Sequence, residues 1–226
     1  MSLQARIDHL VVAARTLPEG IAWCRETLGL EPAAGGQHPL MGTHNRVFRI
    51  DTPAFPRVYF EIIAIDPAAA APGRTRWFDL DEPRLQDALA AGPRLIHFVA
   101  STHDAAGATA ALARLGIDRG PLVAAERATP SALLRWKISV RDDGQRLFAG
   151  LLPTLIEWGS AHPCEALPAS GVSLRTLQSA HPQAVQLQAA YDAIGLRQVT
   201  AQPGPANLVA VLETPRGTVR LESAGA

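Results

Sequence analysis

The chain has 226 residues, with 21 Lys and Arg against 21 Asp and Glu, and 47% of it is apolar. That length suits one large domain or a few small modules sharing a core, and the apolar share excludes a disordered chain. Zero formal net charge removes the field that would draw in nucleic acid or an anionic membrane. No run of about 18 apolar residues is there to span a bilayer, and the N-terminus lacks the basic start and apolar stretch of a signal peptide. A cytoplasmic protein is expected. The two cysteines, Cys24 and Cys164, have neither the number for a disulfide framework nor a metal-ligand spacing.

In chain order, the segment 7–13 predicts a strand. A helix follows, with Leu17, Ile21, Cys24 and Leu28 along one face. It closes at Leu28-Gly29-Leu30, where glycine suits a left-handed cap. Strands are predicted at 46–50 and 58–65. A turn-rich stretch at 66–75 and an extra helix within 76–92 separate this unit from the next. A second unit repeats the pattern, with a strand at 95–100 and a helix N-capped by Asp104 that carries Ala108, Leu112 and Leu115. It closes at Leu115-Gly116-Ile117, and a long connection at 121–133 leads to strands at 134–140 and 154–158. A third pass follows the turn-rich stretch at 160–171. It has a strand at 172–177, then a helix from near Pro182 with Leu187, Tyr191 and Ile194, closing at Ile194-Gly195-Leu196. Strands at 208–213 and 218–222 complete it. A βαβββ-like unit therefore occurs three times.

Overlaying the units brings four side chains into matching places. His9 lies 20 residues before Gly29, and His97 lies 19 before Gly116. The last strand of each unit carries an acid among apolar neighbours, Glu61 in the first and Glu157 in the second. A buried carboxylate is costly unless it is paired, hydrogen-bonded or bound to a metal. Imidazole and carboxylate suit a divalent ion such as Zn, Ni, Mn or Fe, so His9, Glu61, His97 and Glu157 are the candidate metal ligands. The alternative is four unrelated structural residues. The third unit has Arg175 and Thr176 in the histidine place and keeps only the terminal acid, Glu222.

Strand alternation would send His44 and Arg46 to one face and Asn45 to the other. All three are candidate substrate contacts, against a simple turn role beside Gly42-Thr43. Trp77, next to Phe78 in the intervening segment, and Trp136, with Trp158, are candidates for the apolar wall of a pocket. His38, His103, His162 and His181 fall in loops or at helix starts and read as surface residues.

The segments IDHLVVAARTL, GTHNRV, YFEIIAIDP, RWFDLD and LLPTLIEW resemble the glyoxalase-like branch of the vicinal oxygen chelate superfamily, over about residues 5–160. That superfamily includes glyoxalase I, extradiol dioxygenases, methylmalonyl-CoA epimerase and bleomycin resistance proteins. The resemblance implies an α+β fold in which paired βαβββ modules form a cupped mixed sheet. The modules would be 5–66 and 93–160, with an insertion at 67–92 and a third, degenerate module at 171–224. It implies a small-molecule substrate and a divalent metal held by His9, Glu61, His97 and Glu157. The leading expectation is a metal-dependent lyase or isomerase working through an enediolate, with Glu157 as the catalytic base and Glu61 as runner-up. A non-catalytic binding protein and an Fe(II) extradiol dioxygenase are the alternatives. The third module could cover a sheet edge or form a homodimer interface.

Overall fold

The computed structural model describes residues 3–129 and 132–223. The first module consists of β1 (Arg6–Ala13), α1 (Leu17–Thr27), β2 (Ala33–His38), β3 (Thr43–Arg49) and β4 (Tyr59–Ile65). A connecting segment carries α2 (Pro83–Leu89). The second module consists of β5 (Arg94–Ser101), α3 (Ala105–Ala113), β6 (Leu122–Ala128), β7 (Leu133–Ser139) and β8 (Thr154–Trp158). The two modules join into one eight-stranded sheet of order β2-β3-β4-β1-β5-β8-β7-β6, which curls into a half-barrel. Within each module the first strand pairs in parallel with the last, and β1 and β5 pair antiparallel along the central seam. This is the paired-module α+β architecture that the sequence implied.

The helices begin and end where local chemistry dictates. Thr16 caps α1 by accepting from the Glu19 amide, and Asp104 caps α3 by accepting from the Gly107 amide at 2.7 Å. Gly29, Gly116 and Gly195 all take the left-handed conformation, with φ of 77°, 74° and 70°. At Gly195 a Cβ would also stand 2.0 Å from the Leu3 carbonyl, so close approach adds to the backbone requirement.

Two expectations change. The helix expected within 76–92 is confined to Pro83–Leu89. Pro83 restricts Glu82 to extended backbone, so no helix runs through it. The connection expected at 121–133 contains strand β6, and residues 130 and 131 lie outside the described residues. Strand β2, AAGGQH, lacks the β-branched and aromatic residues that announce strands, and β6, LVAAERA, reads as readily helical. These two strands are the outer edges of the sheet.

The rest of the chain forms β9 (Ser173–His181), α4 (Ala184–Ala193), β10 (Ala201–Pro203), β11 (Asn207–Thr214) and β12 (Gly217–Glu222). Residue 224, the expected end of this unit, lies outside the described residues. The strands form a separate sheet of order β10-β9-β11-β12. Its wiring differs from that of the first two modules. The opening strand β9 lies between β10 and β11, and the last strand β12 sits at the edge. Glu222 there is bonded to Arg220 and Asn207, far from any repeat of the seam.

The second sheet packs on the convex face of the first. Leu10, Val12, Phe60 and Ile62 share one core with Leu174, Leu187, Tyr191 and Leu212. The Tyr191 hydroxyl donates to the Leu151 carbonyl at 2.7 Å, and the Leu174 amide donates to the Ile50 carbonyl at 2.8 Å. The concave face is filled differently. Val11, Ile63, Ile96, Val99 and Ile156 meet Trp77, Phe78, Leu80, Leu85 and Leu89 of the connecting segment, which plugs the cup. The plug is held by Asp79, whose carboxylate takes the Arg146 guanidinium at 2.9 Å and the Arg146 amide at 3.1 Å. Phe78 and Asp79 sit at φ of 61° and 58°. A bulky residue in that region costs roughly 1–2 kcal/mol, a strain its buried packing sustains.

Because one core spans both sheets, urea unfolding of the whole chain should be a single transition. Tyr191→Phe, which strands the buried Leu151 carbonyl, should lower stability by about 1–3 kcal/mol without splitting it. Separate melting of the two sheets would contradict a shared core.

Candidate active site

The seam strands carry matched irregularities. Across β1 and β5, His9 lies opposite Val99 and Val11 opposite His97, with Asp8 and Ile96 as the extra residues of two bulges. The two modules are thus related by a local twofold that matches His9 with His97 and Val11 with Val99. Val11 pairs with Glu61 on β4, and Val99 pairs with Thr154 on β8. The counterpart of Glu61 is therefore Thr154. A bulge breaks strict alternation, and here it lets the neighbours Asp8 and His9 reach the same network.

In the first module this produces a buried polar chain. Asp8, 1% exposed, accepts from His9 Nδ1 at 2.7 Å, His162 Nε2 at 3.1 Å and Trp158 Nε1 at 3.0 Å. Burial alone would raise its pKa, but the hydrogen bonds from His162 and His9 hold it well below the usual carboxylate range. His162 Nδ1 accepts from the Cys164 amide, which leaves its Nε2–H for Asp8. With Nδ1–H of His9 committed to Asp8, His9 Nε2 presents a lone pair. It faces Glu61 Oε2 at 3.8 Å, beyond direct hydrogen-bond range. Asn45 holds the other Glu61 oxygen at 2.5 Å and is itself fixed by the Gly36 amide, which donates to Asn45 Oδ1 at 2.7 Å. The His9 ring stacks on Tyr59 at 4.4 Å.

These groups open on a small cavity of about 50 Å³, lined by His9, Glu61, Asn45, Tyr59, Trp77 and Arg127 among others. At roughly 10–15 Å³ per water, it accepts a few waters or one functional group. Two of its lining residues carry donors with no protein partner, Trp77 Nε1 and Arg127 Nε. His38 also lines it. Burial pushes the His38 imidazole down to about 4, so it is neutral at pH 7. The Cys164 thiol is pushed up to about 12, again chiefly by burial, and is no nucleophile at pH 7.

A sequence profile described as a glyoxalase-like domain matches residues 7–195, most of the chain. The chain belongs to the glyoxalase-like domain family. No curated protein matches it in sequence. Among solved structures it is similar to a hypothetical protein from Staphylococcus aureus, at 11% identity and a TM-score of 0.58, covering 89% of this chain and 87% of that one. It is also similar to a methylmalonyl-CoA epimerase from Streptomyces coelicolor in complex with 2-nitronate-propionyl-CoA, at 20% identity and a TM-score of 0.42, covering 71% and 99%. A third is the Mn(II)-bound glyoxalase from Novosphingobium aromaticivorans, at 10% identity and a TM-score of 0.48, covering 98% and 83%.

In this glyoxalase-like domain the four candidate ligands do not converge. His9 and Glu61 face each other across the cavity, but His97 has both ring nitrogens engaged. Its Nδ1 donates to the Gly150 carbonyl at 2.7 Å, and its Nε2 accepts from the Thr154 amide at 3.1 Å. Phe78 of the plug lies over the ring, at 5.2 Å between centroids. Arg119, 3% exposed, bonds Thr154 Oγ1 and the Pro153 carbonyl, so a fixed cation stands where a second carboxylate would be needed. Glu157 points to the helix side of the sheet, accepting from the Ala105 amide at 2.9 Å and pairing with Lys137 at 3.0 Å. It lies three positions beyond Thr154, an odd step, so strand alternation turns it to the opposite face. Among the described residues no group of three or more His, Cys, Asp or Glu is placed to hold a metal ion. Two protein ligands fall short of the three or four that a divalent site uses, so the residues do not fit the expected metal. The same geometry removes the second histidine that an Fe(II) dioxygenase arrangement requires.

Of the expected substrate contacts, Asn45, Trp77 and Trp136 line the cavity. His44 and Arg46 lie on the other face of β3, with His44 turned toward Asp66 at 3.8 Å. His38 and His162, expected at the surface, are instead parts of the site, and His162 is 4% exposed. Asp8 and Arg127 had no motif to mark them. The signal for Asp8 was an acid directly beside His9 in an otherwise apolar strand.

Burial lowers the pKa of His97 and His38 in the folded state. Their stabilising neutrality is complete above the unfolded value near 6.5 and is lost as pH falls below it, over a window that for His38 runs down to about 4. Urea-measured stability should therefore drop over that window, and drop less in His97→Gln. An identical drop in the variant would show that His97 is not titrating as described. Glu157→Gln should leave the Mn(II) affinity of the protein unchanged by calorimetry. A loss of about tenfold or more would restore Glu157 as a ligand.

Proposed function

We propose that this protein is a proton-transfer enzyme, an isomerase, epimerase or lyase acting on a small carbonyl compound, with His9 and Glu61 as its acid–base pair. One observation carries the reading. A histidine oriented by a buried aspartate faces a carboxylate in a cavity two of whose lining residues, Trp77 and Arg127, carry buried unpartnered donors. Such a histidine is fixed in the tautomer a general base needs, as in other Asp–His arrangements.

The step is as follows. His9 Nε2 takes a proton from the carbon beside the carbonyl. The C–H electron pair moves onto the carbonyl oxygen as an enolate, and Asp8 balances the imidazolium. Trp77 Nε1 and Arg127 are the donors available to that oxygen. Glu61, 3.8 Å away, can take the proton from His9 and return it to carbon. Each group moves a proton and none needs an oxidant. Family membership supports the reading in kind, since vicinal oxygen chelate proteins include epimerases and glyoxalases. The tight cavity favours one further reading, a binding protein that holds a ligand without changing it.

The test is proton exchange in D2O, followed by NMR, with 2-oxo acids, 3-oxo esters and 2-methylacyl thioesters. The wild-type protein should exchange the α-proton of at least one class, and Glu61→Gln and His9→Gln should each slow this by about 10²–10⁴-fold. Exchange with none of them, or at the wild-type rate in both variants, would refute the catalytic reading.

A further inference from the structure

Directly outside the inner cavity lies a groove of about 750 Å³, within the roughly 300–1,000 Å³ typical of small-molecule sites. Its walls are mostly apolar, from Ala33 and Ala34 on one sheet edge, Ala128 and Leu134 on the other, and Leu167 and Pro168 below. Val47, Arg127 and Pro163 line both spaces, so Arg127 stands at the junction. The sequence makes room for it. A Cβ on Gly36 of β2 would lie 2.0 Å from Arg127 Nη1, so the guanidinium rests directly on the glycine backbone. It comes from β6, the far edge strand, and bridges the two ends of the sheet.

Arg127 is short of acceptors where it stands. Its Nε is buried and unbonded, as is Nε1 of Trp77, a residue that lines the inner cavity. Glu165, the carboxylate on the groove wall, is bonded to Arg57 at 3.0 Å, and Glu126 is bonded to Arg135 at 3.1 Å. A buried donor left unbonded is costly, and a guanidinium is shaped for a carboxylate.

We propose that the protein binds hydrophobic monocarboxylates, with the carboxylate at Arg127 and Trp77 and the apolar tail in the outer groove. The proposal rests on the proton-transfer reading in one respect. If His9 and Glu61 move a proton there, the carboxylate oxygens at Arg127 and Trp77 are the ones that take up the enolate charge, which narrows the substrates to apolar acids that lose an α-proton. Binding itself does not depend on catalysis.

The experiment measures binding of octanoate, 1-octanol, octylammonium and acetate to the full chain by calorimetry and tryptophan fluorescence. Octanoate should bind most tightly, because acetate lacks the tail and the other two lack the anion. Arg127→Gln should weaken octanoate by about 10- to 100-fold and leave 1-octanol unchanged, while Arg127→Lys should fall between. Unchanged 1-octanol binding and an unchanged melting temperature would show that the variants are folded. Equal binding of octanoate and 1-octanol, or full octanoate affinity in Arg127→Gln, would overturn the proposal. Octanoate binding without proton exchange would remove the catalytic reading alone, and exchange without octanoate binding would remove this one alone.

Discussion

The site depends on one buried carboxylate. Asp8 is almost sealed from solvent and would be strongly destabilising there without partners. Three donors from three parts of the chain, His9, Trp158 and His162, converge on it. That convergence fixes the His9 tautomer, draws the Pro163–Glu165 turn against the sheet, and ties the end of β8 to the start of β1. The bulge at Asp8 is the backbone feature that makes it possible. A regular strand would have turned Asp8 or His9 away and left one of them without its partner.

The second constraint is the plug. A cupped sheet with an open concave face would expose Val11, Ile63, Ile96, Val99 and Ile156 together, and a patch of that kind calls for a cover. The segment around Trp77 and Phe78 supplies it from within the chain. It closes over His97 and leaves only a narrow space at His9. The two halves of the cup therefore have different roles. One is packed shut around a neutral histidine and a buried arginine, and the other keeps its carboxylate and its room.

Much of the fold was legible in the sequence because its signals are local. Three helix-ending glycines, the Asp104 cap and the apolar seam strands reveal themselves through short-range chemistry. The outer strands β2 and β6 were not legible. Their residues are chosen for what crosses the sheet ends, such as Gly36 under Arg127, rather than for strand propensity. The site was half legible. His9 and Glu61 stood out by residue type and face each other in the structure, and Asn45, Trp77 and Trp136 line the cavity beside them. Glu157 misled because counting to an acid in the last strand ignores the register. Pairing, not spacing, decides which face a side chain occupies, and pairing assigns the place to Thr154. Asp8 and Arg127 carry no motif, because the role of one needs a bulge and that of the other a contact between opposite edges.

The seam between β1 and β5 would be the dimer interface if each module were a separate polypeptide. In a symmetric pair of identical chains every substitution is made twice, so an aspartate at one bulge would face an aspartate at the other. Joining the modules in one chain lifts that restriction. Asp8 answers to Ile96, and Glu61 to Thr154, in places that symmetry would have made identical. Within one chain the two halves can differ, so that one packs as scaffold around His97 and the other keeps its aspartate, histidine and glutamate.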